Sequence, residues 1–452
     1  MDPIIEQILN FKKEDIPKYE KNLMVAGSTP GINLIKGKGI YAWDIEGNKY
    51  IDCTSQAYTL SLGYSHPEIV KVAQEQLEYS YHMHAGFFTI PRYMLATKIA
   101  EVFPEKFNRV LFTHGGSASN EVALKIALMN KPKAHNFISL YGAYHGLSFL
   151  ISGAGHMATF AYDKWMGAAD FARHSYNFIR VPPPYYYRPY FQVDDPDNRD
   201  EIDERALEAL EMALRYGSTG PVAALLMEPL QGSGGQLIFS KKYLQGVRDI
   251  CDRFDIMLIW DCIQTAFGRM GTWTASQYYG VNPDIIVLGK GIAAGFPINA
   301  IVISDDIKGV KQNWFDSHTF CNNQLAQVVG LKHIEIIERD GILDNVTKVG
   351  DHLREELTRI QKEYPAIGDI RAVGFHIGIE LVKDPETREP DYDGVTRMMA
   401  AGYNNGIIFG KCGVNRGLNV LLVKPPLITT MEESDIILER FHNSLQEVYR
   451  KK

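Results

Sequence analysis

RVLFTHGGSASNEVALKIALMN, residues 109–130, passes from one structural period to another within a few residues. Its first five residues form a short apolar run with β-branched and aromatic members, the pattern of a buried strand. From Ser119 the apolar positions recur at three and four, the period of a helix. The Gly-Gly-Ser between them is a turn. Further runs of the strand type follow: NFISL from Asn136, VAALLM from Val222, IMLIW from Ile256, DIIVLG from Asp284 and NAIVIS from Asn299. Each has the length and flanks of a buried parallel strand. KKYLQGVRDICDRF from Lys241 adds a second helical pattern. Strand alternating with helix predicts an α/β fold on a mostly parallel sheet.

After about residue 326 the pattern changes to long amphipathic helices, AQVVGLKHIEIIERD and VTKVGDHLREELTRIQKEY, then the strand FHIGIELV, another helix and the strand NVLLV. We expect residues 51–325 to form a large domain, with 326–452 and the N-terminal segment 1–50 forming a smaller α+β domain. Tyr185–Glu204, rich in proline, tyrosine and acid, has no regular period and reads as a surface excursion of the large domain. Its run Tyr185–Tyr187 either lines an entrance or covers a sheet.

The 452 residues carry 47 basic and 54 acidic side chains, a net charge of −7, which excludes a nucleic-acid binder working through bulk charge. Apolar residues at 45% and charged residues at 22% are those of a folded globular chain. The five cysteines lie far apart without a CxxC pair, so neither a disulfide framework nor a zinc knuckle is expected. No metal site is expected either. MDPIIEQILNFKKEDIPKYEKN has acids from residue 2 and no sustained apolar run, unlike a secretory signal or transit peptide. No stretch is long and apolar enough to span a membrane. The expectation is a cytoplasmic protein with no membrane or nucleic-acid partner.

In an open parallel sheet, ligands sit beyond the carboxyl ends of the strands. There the chain places HGGSASNE, YGAYHG, EPLQGSGG, DCIQTAFGRMG and KGIAAGFP. Gly115, Gly116 and Ser117 precede a helix, so their N–H groups either hold a phosphate or simply make a turn. Asp261 closes an apolar strand, as a capping residue or as a buried acid that needs a partner. Lys290 puts an amine among small residues, where most lysines merely solvate a surface. Together, a phosphate cradle, a buried acid and an amine suit an aldehyde cofactor with a phosphate and a basic ring nitrogen. Pyridoxal phosphate has those parts.

The motifs GGSASNEVALKIA, YHG, EPLQGSGG, DCIQTAFGRMGTW, PDIIVLGKGIAAGFP, HTF, IRAVGFHIGIEL and PPLIT, between about Gly39 and Glu433, resemble the class III aminotransferases, pyridoxal-phosphate enzymes of fold type I. The resemblance implies a seven-stranded, mostly parallel sheet and a role for each matching residue. Lys290 forms the Schiff base and moves the substrate proton. Asp261 keeps the pyridine nitrogen protonated. Gln264 matches the contact to the ring hydroxyl, and Tyr144 stacks on the ring. Gly116 and Ser117 hold the phosphate, with Thr319 reaching it from a second subunit; this implies a homodimer with shared sites, or a tetramer made of such pairs. Glu228 matches an acid near the ring, unless it serves the N–H groups of its own turn. His145 reads as a packed loop histidine beside the cofactor. Tyr58, Phe87 and Phe88 match aromatic walls of the substrate pocket, though aromatics also fill cores.

The departures bear on the substrate. Where many members of the family read Asp-Glu-x-Gln, this chain has Asp261, Cys262, Ile263 and Gln264, losing the glutamate and one charge near the ring. Cys321, Asn322, Asn323 and Gln324 replace the family's Gly-Gly-Asn-Pro. Leu422 stands where relatives that take α-amino acids or 4-aminobutyrate carry an arginine for the carboxylate. Arg416 either supplies a mobile replacement or is a solvated loop residue. The expected reaction moves an amino group from a primary amine or ω-amino acid to a small 2-oxo acid such as pyruvate or 2-oxoglutarate. IGDIRAVGFHIGIELVKDPETREPD, residues 367–391, is also similar to the amino-acid racemases and epimerases, the alternative reaction on the same cofactor. Decarboxylation of a 2,2-dialkylglycine is a third, supported only by shared motifs such as SNE.

Overall fold

In the computed structural model, which describes residues 1–23, 32–155, 176, 178–309, 318–413 and 419–449, Met257–Asp261 is buried along its whole length in a seven-stranded sheet. Such a strand shows no alternation because both of its faces are covered. The order across the sheet is Arg109–Thr113, Asn299–Ile303, Ile285–Leu288, Met257–Asp261, Val222–Met227, Asn136–Leu140 and Ile179–Val181. Met257–Asp261 runs parallel to both of its neighbours.

NAIVIS departs from expectation: Asn299–Ile303 is antiparallel to both strands beside it. Residues 289–298, which hold only the short 3-10 turn Lys290–Ala293, connect it to Ile285–Leu288. A parallel return needs a longer crossover than that. The edge strand Ile179–Val181 escaped the sequence reading because three residues carry no readable period.

The helical pattern in the opening stretch becomes Gly116–Asn130, and the second becomes Lys241–Arg253, begun by the Ser240 hydroxyl accepting the Tyr243 N–H. These helices pack on the sheet and fix the loops at its carboxyl edge. Beyond residue 323 lie the helices Gln324–Arg339 and Ile342–Glu363, with apolar stripes turned inward.

A second sheet draws on both ends of the chain. Its order is Leu34–Lys38, Tyr41–Asp44, Lys49–Cys53, Ile407–Cys412, Val420–Val423, His376–Asp384 and Ile367–Val373, with Glu389–Pro390 paired to His376–Asp384. The junction is parallel, with Ile51 opposite Ile407. Tyr185 is fully buried against this sheet and donates its hydroxyl to Glu380 at 2.6 Å. That tyrosine therefore covers a sheet. The expected excursion is also shorter than its sequence implied, since the helix Arg199–Tyr216 starts inside it, capped by Asn198.

Between the two sheets the chain makes an uncommon turn. Ser55, Gln56, Ala57 and Tyr58 have φ of 45°, 47°, 59° and 71°. Left-handed backbone costs a non-glycine residue about 1–2 kcal/mol. The surroundings hold it: the Thr54 hydroxyl accepts the Gln56 N–H, and the Ser55 hydroxyl donates to the Lys424 carbonyl at 2.7 Å. No helix among the described residues is long and apolar enough to cross a membrane.

Candidate active site

The carboxyl ends of the large sheet converge on a cavity of about 350 Å3 lined by Gly116, Ser117, Tyr144, His145, Glu228, Asp261, Gln264 and Lys290. All eight were singled out in the sequence. Asp261 is the last residue of its strand and is buried. One carboxylate oxygen, Oδ2, accepts from Asn120 Nδ2 at 2.8 Å and lies 2.9 Å from His145 Nδ1. A carboxylate can only accept, so Nδ1 carries the proton and donates. The other oxygen accepts the Ile263 N–H at 3.1 Å. Asn120 is the residue the sequence reading missed. Its signal was its place three and four residues after Ser117 and Gly116, on the same helix face.

Glu228 follows Val222–Met227 and is buried as deeply. It accepts the Tyr144 N–H at 3.2 Å and the Gly232 N–H at 3.1 Å, so it serves its own turn and faces the cavity at once. Burial pushes its carboxyl up to about 7; His145 opposes the change and the Asp261 charge adds to it. Lys290 follows Ile285–Leu288 with φ of 45°. Burial lowers its pKa, against the pull of Asp261 and Glu228. That favours the neutral amine, the form able to attack a carbonyl.

At the opposite wall, Gly116–Asn130 starts without a side-chain cap at Gly115, leaving the first N–H groups of a long helix turned toward the cavity beside Ser117. Helix N-termini of this kind attract anions. The Ser117 hydroxyl accepts the Leu147 N–H at 3.0 Å. Gly146 permits that approach: its φ is 125°, and a Cβ there would overlap Ser117. The Gln264 side chain donates to the Ser233 hydroxyl at 3.4 Å, and the Gln264 main-chain carbonyl lies 2.9 Å from His376 Nε2. A buried acid, an amine and an anion cradle on one cavity match the parts of a phosphate-bearing aldehyde with a basic ring nitrogen.

The remaining predicted residues lie elsewhere. Tyr58 is buried next to the cavity, with its ring centre 5.9 Å from Lys290 Nζ and its hydroxyl accepting from Gln236 at 2.9 Å. Phe87 and Phe88 are 63% and 75% exposed and do not line the cavity within this chain. Thr319 is exposed at the start of the 3-10 turn Thr319–Asn322. Arg416 lies outside the described residues.

This sheet and its strand-end residues define a pyridoxal-phosphate enzyme of fold type I. The family description "Aminotransferase class-III" matches residues 24–445, and the chain belongs to that family of pyridoxal-phosphate-dependent transaminases. It is 28% identical over 444 residues to an alanine/serine racemase of Pyrococcus horikoshii, covering 96% of this chain and 91% of that one. It is 29% identical to a probable 4-aminobutyrate aminotransferase of Bacillus subtilis, over 87% and 88% of the two chains. The structure of a taurine:2-oxoglutarate aminotransferase from Bifidobacterium kashiwanohense, in complex with PLP and glutamate, superposes with a TM-score of 0.86 at 25% identity, over 98% of each chain.

Proposed function

We propose that the enzyme takes the amino group of a primary amine or ω-amino acid and delivers it to a small 2-oxo acid such as pyruvate or 2-oxoglutarate. The observation that carries this reading is Lys290, an amine held below its ordinary pKa on the same cavity as the Asp261 carboxylate and an open helix N-terminus. Bound pyridoxal phosphate supplies an aldehyde for the amine and a ring that spreads the negative charge developed at the donor Cα.

The residues act around it. Lys290 would hold the aldehyde of the bound cofactor, and its amine would move the proton at the donor Cα. Asp261, fixed by Asn120 and His145 through one oxygen, would keep the ring nitrogen protonated. Of the residues lining the cavity, Gln264 would contact the ring hydroxyl, Tyr144 the ring, and Gly116 and Ser117 the phosphate. Glu228 fixes the Tyr144 loop from beneath.

Exposed Phe87, Phe88 and Thr319 support a homodimer in which they complete the partner's site. Residues 51–325 act as the cofactor-binding domain and the two terminal segments as the smaller one, a division supported by strands from both ends sharing the second sheet. The absence of a membrane-spanning helix among the described residues suits a cytoplasmic enzyme.

Racemisation is the second reading, favoured by the Pyrococcus relative. Purified yellow enzyme mixed with amines and amino acids in the absence of any oxo acid separates the two. Transfer bleaches the visible absorbance of the bound cofactor and yields one carbonyl product per site. Racemisation removes optical rotation and keeps the absorbance. No spectral response to any amine, or a wild-type spectrum in Lys290→Ala, overturns both.

A further inference from the structure

A second buried lysine stands beside the first. Lys424 closes the strand Val420–Val423, and its Nζ lies 3.9 Å from the centre of the Tyr58 ring, the ring that Lys290 approaches at 5.9 Å. Arg269, also buried, approaches the same ring at 5.4 Å. Three basic side chains thus border one phenol. Arg269 is committed, donating to the Pro425 carbonyl at 2.6 Å and to Ser55. Lys290 faces Asp261 and Glu228.

Lys424 has no such counter-ion among the described residues. The nearby acid, Asp52, is engaged by the Thr54 N–H and hydroxyl at 2.7 and 2.6 Å and by Tyr64 at 2.8 Å. Leu422, two residues earlier on the same strand face, is apolar, so Lys424 is the charge this strand end presents. An unpaired buried ammonium is costly, and an anion brought by a ligand removes that cost.

We propose that Lys424 is the receptor for an anionic group on the amino donor, a carboxylate or sulfonate carried a few bonds from the amine that meets Lys290. The proposal rests on the amino-transfer reading and narrows its donor to short ω-amino acids and aminosulfonates. Tyr58 lies beside both ends, its ring centre 3.9 Å from Lys424 Nζ and 5.9 Å from Lys290 Nζ. The groups that face Lys424 are Lys290, Arg269, Cys412, Asp52 and Tyr58. Burial, reinforced by Lys290 and Arg269 and opposed by Cys412 and Asp52, brings it down to about 7. An arriving anion favours its charged form, so binding near neutral pH takes up a proton from solution.

The test uses the cofactor-loaded enzyme as wild type, Lys424→Met and Lys424→Arg, with folding checked by thermal melting. Donors are matched pairs, 4-aminobutyrate against butylamine and 2-aminoethanesulfonate against ethylamine. Unreactive butyrate is titrated by calorimetry in two buffers of different ionisation heat. In Lys424→Met the acid-over-amine ratio of kcat/KM falls about 10- to 100-fold, the loss of a charged hydrogen bond. Butyrate binding weakens by a similar factor and loses its proton uptake, whereas Lys424→Arg keeps most of both. An unchanged ratio with unchanged butyrate affinity overturns the proposal, as does an equal loss for acids and amines. Should the methionine variant not fold, Lys424→Gln is read by the same criteria. A wild type that transfers no amino group from any donor overturns the function proposed above, and the butyrate titration still decides the role of Lys424.

Discussion

Lys290 and Lys424 reach the same phenol ring from the ends of two different sheets, one after Ile285–Leu288 and the other after Val420–Val423. Both are lowered in pKa chiefly by burial. Their neighbours differ: the acids Asp261 and Glu228 face Lys290, while the basic Lys290 and Arg269 stand beside Lys424. A lysine opposite acids can change protonation state at modest cost, which suits the role proposed for Lys290. One set among cations waits for a negative charge from outside. Burial alone therefore does not assign a role to a lysine; the charge of its surroundings does.

Removing the acid on the Lys290 side breaks this contrast most severely. Asp261→Asn lowers kcat by about 10²- to 10³-fold, the usual loss when a buried electrostatic partner of the reacting system goes. Steady-state kinetics with any accepted donor check it, and a kcat within about threefold of wild type would remove Asp261 from its assigned role.

Glu228 sharpens the contrast through pH. Its pKa is raised from 4.5 to about 7, chiefly by burial. The stability it contributes is full below about pH 4.5 and is lost as pH rises through about 7, by at most about 3 kcal/mol. Glu228→Gln flattens that part of the stability curve when urea unfolding is followed between pH 4.5 and 7. An identical slope in the variant would show that the carboxyl titrates normally.

The smallest effect lies on the Lys424 side. Ala57 is exposed with φ of 59°, in the left-handed turn that presents Tyr58. Ala57→Gly relieves strain there without disturbing packing and stabilises the protein by about 0.5–1 kcal/mol, read as a rise in melting temperature. A fall would mean that the side chain is held by contacts rather than strained.

The two sides also differ in how far they could be read from residues alone. Asp261, Lys290, Gly116 and Ser117 each stand at the end of an apolar run, so a local pattern announced both the strand and the chemistry after it. The direction of Asn299–Ile303 was hidden because a buried strand has the same composition in either direction. Asn120 was hidden because its aim depends on a loop and a strand that packing brings to it. On the other side, Tyr58 and Lys424 are neighbours only through the second sheet, and SQAY contains no glycine to mark a left-handed turn. Phe87 and Phe88, matched to pocket walls by resemblance, stand exposed outside the cavity lining.

The parallel pairing of Ile51 with Ile407 has a consequence for biosynthesis. During translation the large sheet can assemble once residue 303 has emerged, whereas the early strand Lys49–Cys53 has no central partner until Ile407–Cys412 has been made. Closing so long a loop is slow. The nascent chain therefore acquires the strand ends that line its cavity well before Lys290 and Lys424 come together, and an unfinished chain carries that early strand edge uncovered.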